Sequence, residues 1–311
     1  MSKGARGYRL AENAIDAPAR GLVLRLRDDV SAADAFQKIA DACLKQFSLS
    51  EELLEKAIES EAVHQARVAI RRLRAAFSMF NKIVVGEDAD AARRELKWLS
   101  DLLGEARDLD VFVDSRMSQV LLQHPNVAGM QELTQALAEK RDRSHHRLAD
   151  ALHSERFRTL LLDVARCAQS GQWRRNRGGL FLEFARDELD RRLRSVKKKR
   201  KAVRGPDALK RHRLRIKAKK LRYMFEFLKP AAPSRSLSLE ANRLERLQDL
   251  LGELNDAIVG ERLLGRLVQE SAAPALGYAA DLVRATLTPS PKLARRAVKT
   301  HADLRRSQPF E

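Results

Sequence analysis

Apolar positions recur every three or four residues along most of the chain, which is the pattern of amphipathic helices. A capping-box-like start at Ser31 opens the first predicted helix. The predicted helices cover residues 31–47, 50–85 (with a possible break), 88–123, 127–153, 155–168, 180–199, 206–229, 238–270, 275–287 and 291–306. Only residues 21–27 alternate as a short strand would. The pattern therefore predicts an all-α protein.

Two pairs of segments recur at one spacing of 148 residues. Residues 61–80 match 209–228, and residues 95–111 match 243–259 with nine identities in 17 positions. Two independent matches at a single offset indicate an internal duplication. We therefore expect two tandem, pseudo-symmetric helical bundles. The expected units are an N-terminal extension (1–30), a first bundle (31–170), a linker (171–179), a second bundle (180–306) and a tail (307–311).

Positive charge is concentrated in one part of the chain. Lys and Arg number 60 against 42 Asp and Glu, a formal net charge of +18. Residues 191–222 hold 17 of these cations and one acid, Asp207, so this block carries 16 of the 18 net charges. Such a block indicates a polyanionic partner. A solvated helix face is the alternative for the run at 197–201 taken alone.

Within this pattern, cations form a stripe along one helix of each half. His64, Arg67, Arg71 and Arg74 fall within about 80° of the helix circumference, and His212, Arg215, Lys219 and Arg222 repeat the arrangement. Stacked like charges destabilise a helix, which predicts an anion against each stripe. Acidic residues of the repeated DLLGE segments could instead pair with the stripes; they are Asp101, Glu105 and Asp108, and Asp249, Glu253 and Asp256.

The segments VHQARVAIRRLRAAF, RHRLRIKAKKLRYMFEFL and DLLGEARDLDVF resemble the signature helices of the CHAD domain, the conserved-histidine α-helical domain. The resemblance implies two four-helix bundles that bind inorganic polyphosphate in a basic channel between the halves, and an association with polyphosphate granules. The binding residues it implies are His64, Arg67, Arg71, Arg72, Arg74, Arg107, His212, Arg215, Lys219, Lys220 and Arg222.

We expect no catalytic residues, no metal site and no cofactor. Many CHAD domains are fused to a triphosphate-tunnel (CYTH) domain, but its ExExK strand is missing here, since residues 59–63 read ESEAV in a helical pattern. An enzyme acting on polyphosphate stays open. The alternative to polyphosphate is nucleic acid bound by the 191–222 block, although that block lacks stacking aromatics.

The expected setting is the cytoplasm. Cys43 and Cys167 show no metal or redox spacing, the first 21 residues contain no apolar signal segment, and no apolar run approaches membrane-spanning length. We therefore expect no membrane partner, and polyphosphate-metabolising enzymes are the protein partners considered.

Overall fold

The computed structural model describes residues 24–171, 173, 179–205, 207–270 and 274–306. The described chain is helical and contains no strand, which confirms the all-α prediction. The helices are α1 (Ala32–Lys56), α2 (Ser60–Met79), α3 (Glu87–Val111), α4 (Ser118–Gln123), α5 (Met130–His153), α6 (Glu155–Ser170), α7 (Phe181–Lys197), α8 (Arg200–Arg204), α9 (Ala208–Leu228), α10 (Arg235–Glu270), α11 (Pro274–Leu287) and α12 (Pro291–Arg306).

The duplication is visible in the order and bounds of the helices. Helices α2 and α9 begin 148 residues apart, as do α3 and α10. The α1 segment corresponds to α7 and α8 together. In both halves the next helix pair packs on the third helix, α5 and α6 on α3, and α11 and α12 on α10. This confirms the predicted fold of two tandem pseudo-symmetric bundles.

The first helix begins where the sequence predicts and ends later. The Ser31 side chain accepts a hydrogen bond from the backbone N–H of Asp34, as an N-cap does. The Ser50 hydroxyl donates to the Gln46 carbonyl inside the helix, so this serine does not open a second helix. The predicted break near residue 48 is therefore wrong, whereas the break expected within residues 50–85 lies at residues 57–59.

The beginnings of the two bundles lie side by side. Ala32 N–H donates to the Gly179 carbonyl, and Phe181 N–H donates to the Val30 carbonyl. Residues 24–27 of the predicted strand are irregular, and residues 21–23 lie outside the described residues. Most of the predicted 171–179 linker, the first 23 residues and the 307–311 tail also lie outside them, so the domain boundaries stay predictions.

One hydrophobic core runs through both halves. The Phe80 ring, from the end of α2, stacks on Phe184 of α7 at a centroid distance of 5.1 Å. Phe36 of α1 meets Phe77 edge to face at the same distance. A smaller cluster forms between the end of α3, α4, α5, the end of α10 and α11. Helix α2 also packs directly on α9, which brings the two cationic helices together. Within the described residues, no helix is both apolar enough and long enough to cross a bilayer.

Substitution of Gly129 tests the packing of α11 against the start of α5. Gly129 has φ of 78°, and a Cβ there would lie 1.9 Å from the backbone oxygen of Ala275. We expect Gly129→Ala to lower the free energy of unfolding by roughly 1–3 kcal/mol, since it adds left-handed strain and a backbone clash. Urea denaturation measures this.

The matched control is Gly277→Ala, where the new Cβ meets nothing within 4 Å. This change within α11 should leave stability unchanged or raise it by up to ~1 kcal/mol. Equal midpoints for the two variants would contradict the described packing.

Candidate functional site

Helices α2 and α9 each pack one apolar face into the core and carry cationic side chains on another face. In α2, Ile70 and Leu73 are fully buried, whereas Arg67 and Arg71 lie on the opposite side and are partly exposed. This separation follows from the 3.6-residue period, because the apolar positions pack into the bundle and their neighbours cannot. The same division in α9 turns Arg215 and Lys219 towards α2.

Cations of both halves line one cavity of about 210 Å³, here named the axial cavity. Its wall contains four pairs of residues related by the 148-residue repeat. The pairs are Arg67 and Arg215, Arg71 and Lys219, Asp108 and Asp256, and Val111 and Val259. Because both members of each pair line the same space, the axial cavity lies on the pseudo-two-fold axis that relates the two bundles.

Three further basic residues line the axial cavity from the first half alone. They are His64, Arg107 and Arg116, whose repeat counterparts, His212, Asn255 and Leu264, line no part of it. Arg107 is held in place by α2, since its Nη1 donates to the Ser60 hydroxyl at 2.5 Å and to the Ser60 carbonyl at 3.1 Å. The cavity is thus symmetric at its centre and asymmetric at its edge.

Carboxylates neutralise only a part of this charge. Arg67 Nη1 donates to Asp108 Oδ1 at 2.8 Å. Of the other acids in the first DLLGE segment, Asp101 pairs with Lys97 and Glu105 pairs with Arg147. Two carboxylates therefore face six Arg and Lys side chains in the axial cavity. The alternative in which acids fully neutralise the stripes holds for Arg67 and not for the cavity as a whole.

In both halves, an arginine of the stripe lies over the glycine of a DLLGE segment. A Cβ at Gly104 would lie 3.8 Å from Arg67 Nη2, and one at Gly252 would lie 4.0 Å from Arg215 Nε. Both guanidinium groups thus pass over a helix surface without a side chain. This contact relates the two repeated motifs physically, because the stripe of one helix rests on the glycine of the next.

Burial and mutual repulsion disfavour the charged forms of these cations. Burial, followed by the charges of Arg71 and Arg215, lowers the pKa of Lys219 to about 6. Burial and the nearby Arg67 lower the pKa of Arg71 to about 10. The pKa of His64 is also lowered, by burial first and then by Arg107. The protein alone therefore leaves this charge poorly compensated, and a bound anion would reverse these shifts.

One buried donor in the axial cavity has no acceptor in the protein. Arg215 Nε is inaccessible to solvent and has no hydrogen-bond partner among the described residues. Leaving a buried donor of a charged group unsatisfied is costly.

The structure brings six of the eleven sequence-predicted residues into the axial cavity: His64, Arg67, Arg71, Arg107, Arg215 and Lys219. Arg74 instead donates to the Ser100 hydroxyl, and His212 Nδ1 lies 2.7 Å from Asn255 Oδ1. Arg72 and Arg222 both pair with Glu226, and they flank the ring of Tyr223. Lys220 lines a different cavity.

Among the cations that line the axial cavity, Arg116 is the one that the sequence analysis does not predict. It lies in a π-helical turn, Phe112–Met117, that follows α3. Such turns often re-aim side chains at functional sites. Phe112 of this turn packs against Gly260, where a Cβ would come within 2.8 Å of the ring. No signal in the repeat marks Arg116, because its counterpart is a leucine.

The described residues contain no group of His, Cys, Asp and Glu side chains arranged to hold a metal ion. His145, one of the histidines that could suggest a metal cluster in the sequence, has its Nε2 2.8 Å from Oδ1 of the buried Asp110. The axial cavity combines cations with two acids, and this donor set suits anions.

Comparison with known proteins agrees with this architecture. The chain matches the CHAD domain model over residues 38–265, and no CYTH model matches. The crystal structure of the CHAD domain from the plant Ricinus communis superposes with a TM-score of 0.82 at 28% identity, covering 94% of this chain and 99% of that one. PptA from Streptomyces chartreusis shares the fold, with a TM-score of 0.63 at 18% identity over 88% of this chain and 99% of that one. No curated protein matches. The chain therefore belongs to the CHAD domain family.

Proposed function

We propose that this protein binds inorganic polyphosphate in the axial cavity, without catalysing its turnover. The observation that carries the proposal is the gathering of six Arg and Lys side chains from both halves around one cavity that holds two carboxylates. A row of phosphates would supply the missing negative charge.

The chemistry of the cations fits phosphate. Five of the six are arginines. Their planar guanidinium groups stay charged at neutral pH and donate paired hydrogen bonds to phosphate oxygens. Because the axial cavity carries symmetric cations from both bundles, a single linear polyanion would contact both halves at once.

Nucleic acid is the weaker candidate. Binders of single strands combine cations with exposed aromatic rings on which bases stack. The one aromatic residue in the wall of the axial cavity is Phe112, and it is only 4% exposed because it packs against α10 and α11. Tyr223, which directly follows the 191–222 block, is 3% exposed, so its ring is not available for stacking with a base either.

The absence of catalysis is part of the proposal. Asp108 is engaged by Arg67, which leaves Asp256 as the other carboxylate in the wall. This donor set favours holding an anion over activating water for attack on it. Association with polyphosphate granules, and with enzymes that make or degrade the polymer, would follow from the same binding.

A competitive titration tests the proposed ligand. We expect long-chain polyphosphate to bind at least about tenfold more tightly than duplex DNA or single-stranded RNA at physiological salt. Six cations line the axial cavity. By analogy with nucleic acids, a plot of log affinity against log salt concentration should therefore fall with a slope of roughly 4–5. Equal affinity for the three polymers, or a slope near 1, would contradict the proposal.

The lowered pKa of Lys219 predicts that the protein takes up protons when it binds polyphosphate. Its lowered pKa, about 6, leaves it mostly neutral at pH 7.5 in the free protein. Bound phosphate should raise that pKa, so binding should take up protons and tighten as pH falls from 8 towards 6. Calorimetry in buffers of different ionisation enthalpy measures the uptake.

The Lys219→Met variant separates this group from His64. It should bind more weakly and take up fewer protons, whereas the exposed control Lys38→Met on α1 should match the unaltered protein. Unchanged proton uptake in Lys219→Met would show that Lys219 is not the titrating group.

A further inference from the structure

The second half contains another cationic cavity that the proposed function does not use. It lies between α7, α9 and the end of α2, has a volume of about 510 Å³, and shares no lining residue with the axial cavity. That volume is within the usual range for small-molecule sites. The cations in its wall are Arg191, Arg192, Arg213, Lys217 and Lys220. We name it the α7–α9 cavity.

The duplication shows how its charge arose. The repeat counterpart of Lys220 is Arg72, and that of Ser78 is Glu226. Arg72 Nε, from the first half, pairs with Glu226 Oε2, from the second half, at 3.0 Å. In the symmetry-related contact, Lys220 Nζ of the second half lies 3.5 Å from the Ser78 hydroxyl of the first half. The acid that neutralises the cation in one of these two contacts is thus a serine in the other.

The neighbouring positions have diverged in the same direction. Lys217 corresponds to Ala69 and Arg213 to Gln65, so two cations replace neutral residues. Ser195 corresponds to Phe47, which is fully buried in the first bundle. The place filled by apolar side chains between α1 and α2 is therefore an open, charged cavity between α7 and α9.

Local structure accounts for two of the five cations. Glu188, 1% exposed, accepts hydrogen bonds from Arg191 and Arg192 and lies 3.8 Å from Lys82. Arg192 also donates to the Ser78 carbonyl, at the end of α2 where the helix dipole favours cations.

The other three cations have no comparable counterion in the part of the chain that the structure describes. Lys217 Nζ donates to the Ser195 hydroxyl at 2.9 Å, and Lys220 lies against Ser78. Hydroxyl groups orient these ammonium groups without neutralising them. No carboxylate belongs to the described wall of the α7–α9 cavity, which also contains Arg213.

We propose that the α7–α9 cavity is a second anion site, separate from the axial cavity, that binds a compact ligand with adjacent phosphoryl groups. Lys217, Lys220 and Arg213 supply uncompensated charge, and Ser78 and Ser195 supply hydroxyl groups beside it. Inorganic triphosphate and a nucleoside triphosphate share this chemistry. Ile216, 41% exposed in the same wall, would contact the organic part of the latter.

Chemical labelling of Lys217 reports on this site directly. The rate of acetylation of this exposed lysine is measured by mass spectrometry on the full-length protein, with triphosphate or ATP added at millimolar concentration. We expect each to slow labelling at least about fivefold, with sodium chloride of equal ionic strength as the control. The ligand that protects Lys217 at the lower concentration shows whether the site prefers inorganic triphosphate or a nucleoside triphosphate.

Two variants of Ser78 separate charge from size at this site. Ser78→Glu introduces the acid found at the counterpart position, Glu226, and should abolish protection, whereas Ser78→Gln, which is equally large but uncharged, should lose less of it. If the Ser78 variants fail to fold, Lys217→Ala provides a second test. This change at an exposed position introduces the residue found at the counterpart position, Ala69. It should weaken the protection of Lys220 from acetylation by triphosphate.

Arg67→Glu, in the axial cavity, should leave protection of Lys217 intact even if long-chain binding is lost. This separates failure of the second site from failure of the proposed function. Protection by neither ligand, equal protection by sodium chloride, or loss of protection in Arg67→Glu would overturn the proposal.

Discussion

The contact between α2 and α9 is the constraint on which the axial cavity depends. It forces like charges from two bundles into one space, where burial lowers the pKa values of Lys219 and Arg71. The apolar faces of the same helices, with residues such as Ile70 and Leu221 fully buried, hold that arrangement in place. The hydrophobic core thus offsets an electrostatic cost that an anionic ligand would remove.

The duplication explains why there is one axial cavity and not two. A pseudo-two-fold axis passes through the molecule once, so residues near it, such as Arg67 and Arg215, meet in one place. Residues away from the axis are free to diverge. Glu226 and its counterpart Ser78 show the result: one of two symmetry-related contacts between the halves is a neutralised ion pair, and the other lines an open, charged cavity.

Helical spacing and the repeat were enough to predict the all-α fold and the two cationic stripes, whereas the expectation that both stripes line one space came from the family resemblance. Spacing and the repeat were not enough to decide which stripe residues reach the axial cavity. Arg71 and Arg74 are about 60° apart on the helix but roughly 4.5 Å apart along it. Arg74 therefore contacts Ser100 of α3 while Arg71 faces the axis. A helical wheel gives the angular position of a side chain, but it does not show which neighbouring helix packs at that level along the axis.

Arg116 shows a second limit of prediction. Its position depends on a π-helical turn and on the packing of Phe112 over Gly260, neither of which appears in the periodic pattern. The length of α1 was likewise mispredicted, because the Ser50 hydroxyl donates to the Gln46 carbonyl inside the helix and does not cap a new helix.

The central claim is that both halves hold one polymer chain in one cavity, and charge reversal with measured stoichiometry tests it most directly. Long-chain polyphosphate is titrated into the unaltered protein, Arg67→Glu, Arg215→Glu, and the exposed control Arg94→Glu on α3. The account predicts one chain per protein, at least about tenfold weaker binding in each of the first two variants, and no change in the control. Two equal and independent sites, with one surviving at full affinity in each variant, would contradict it.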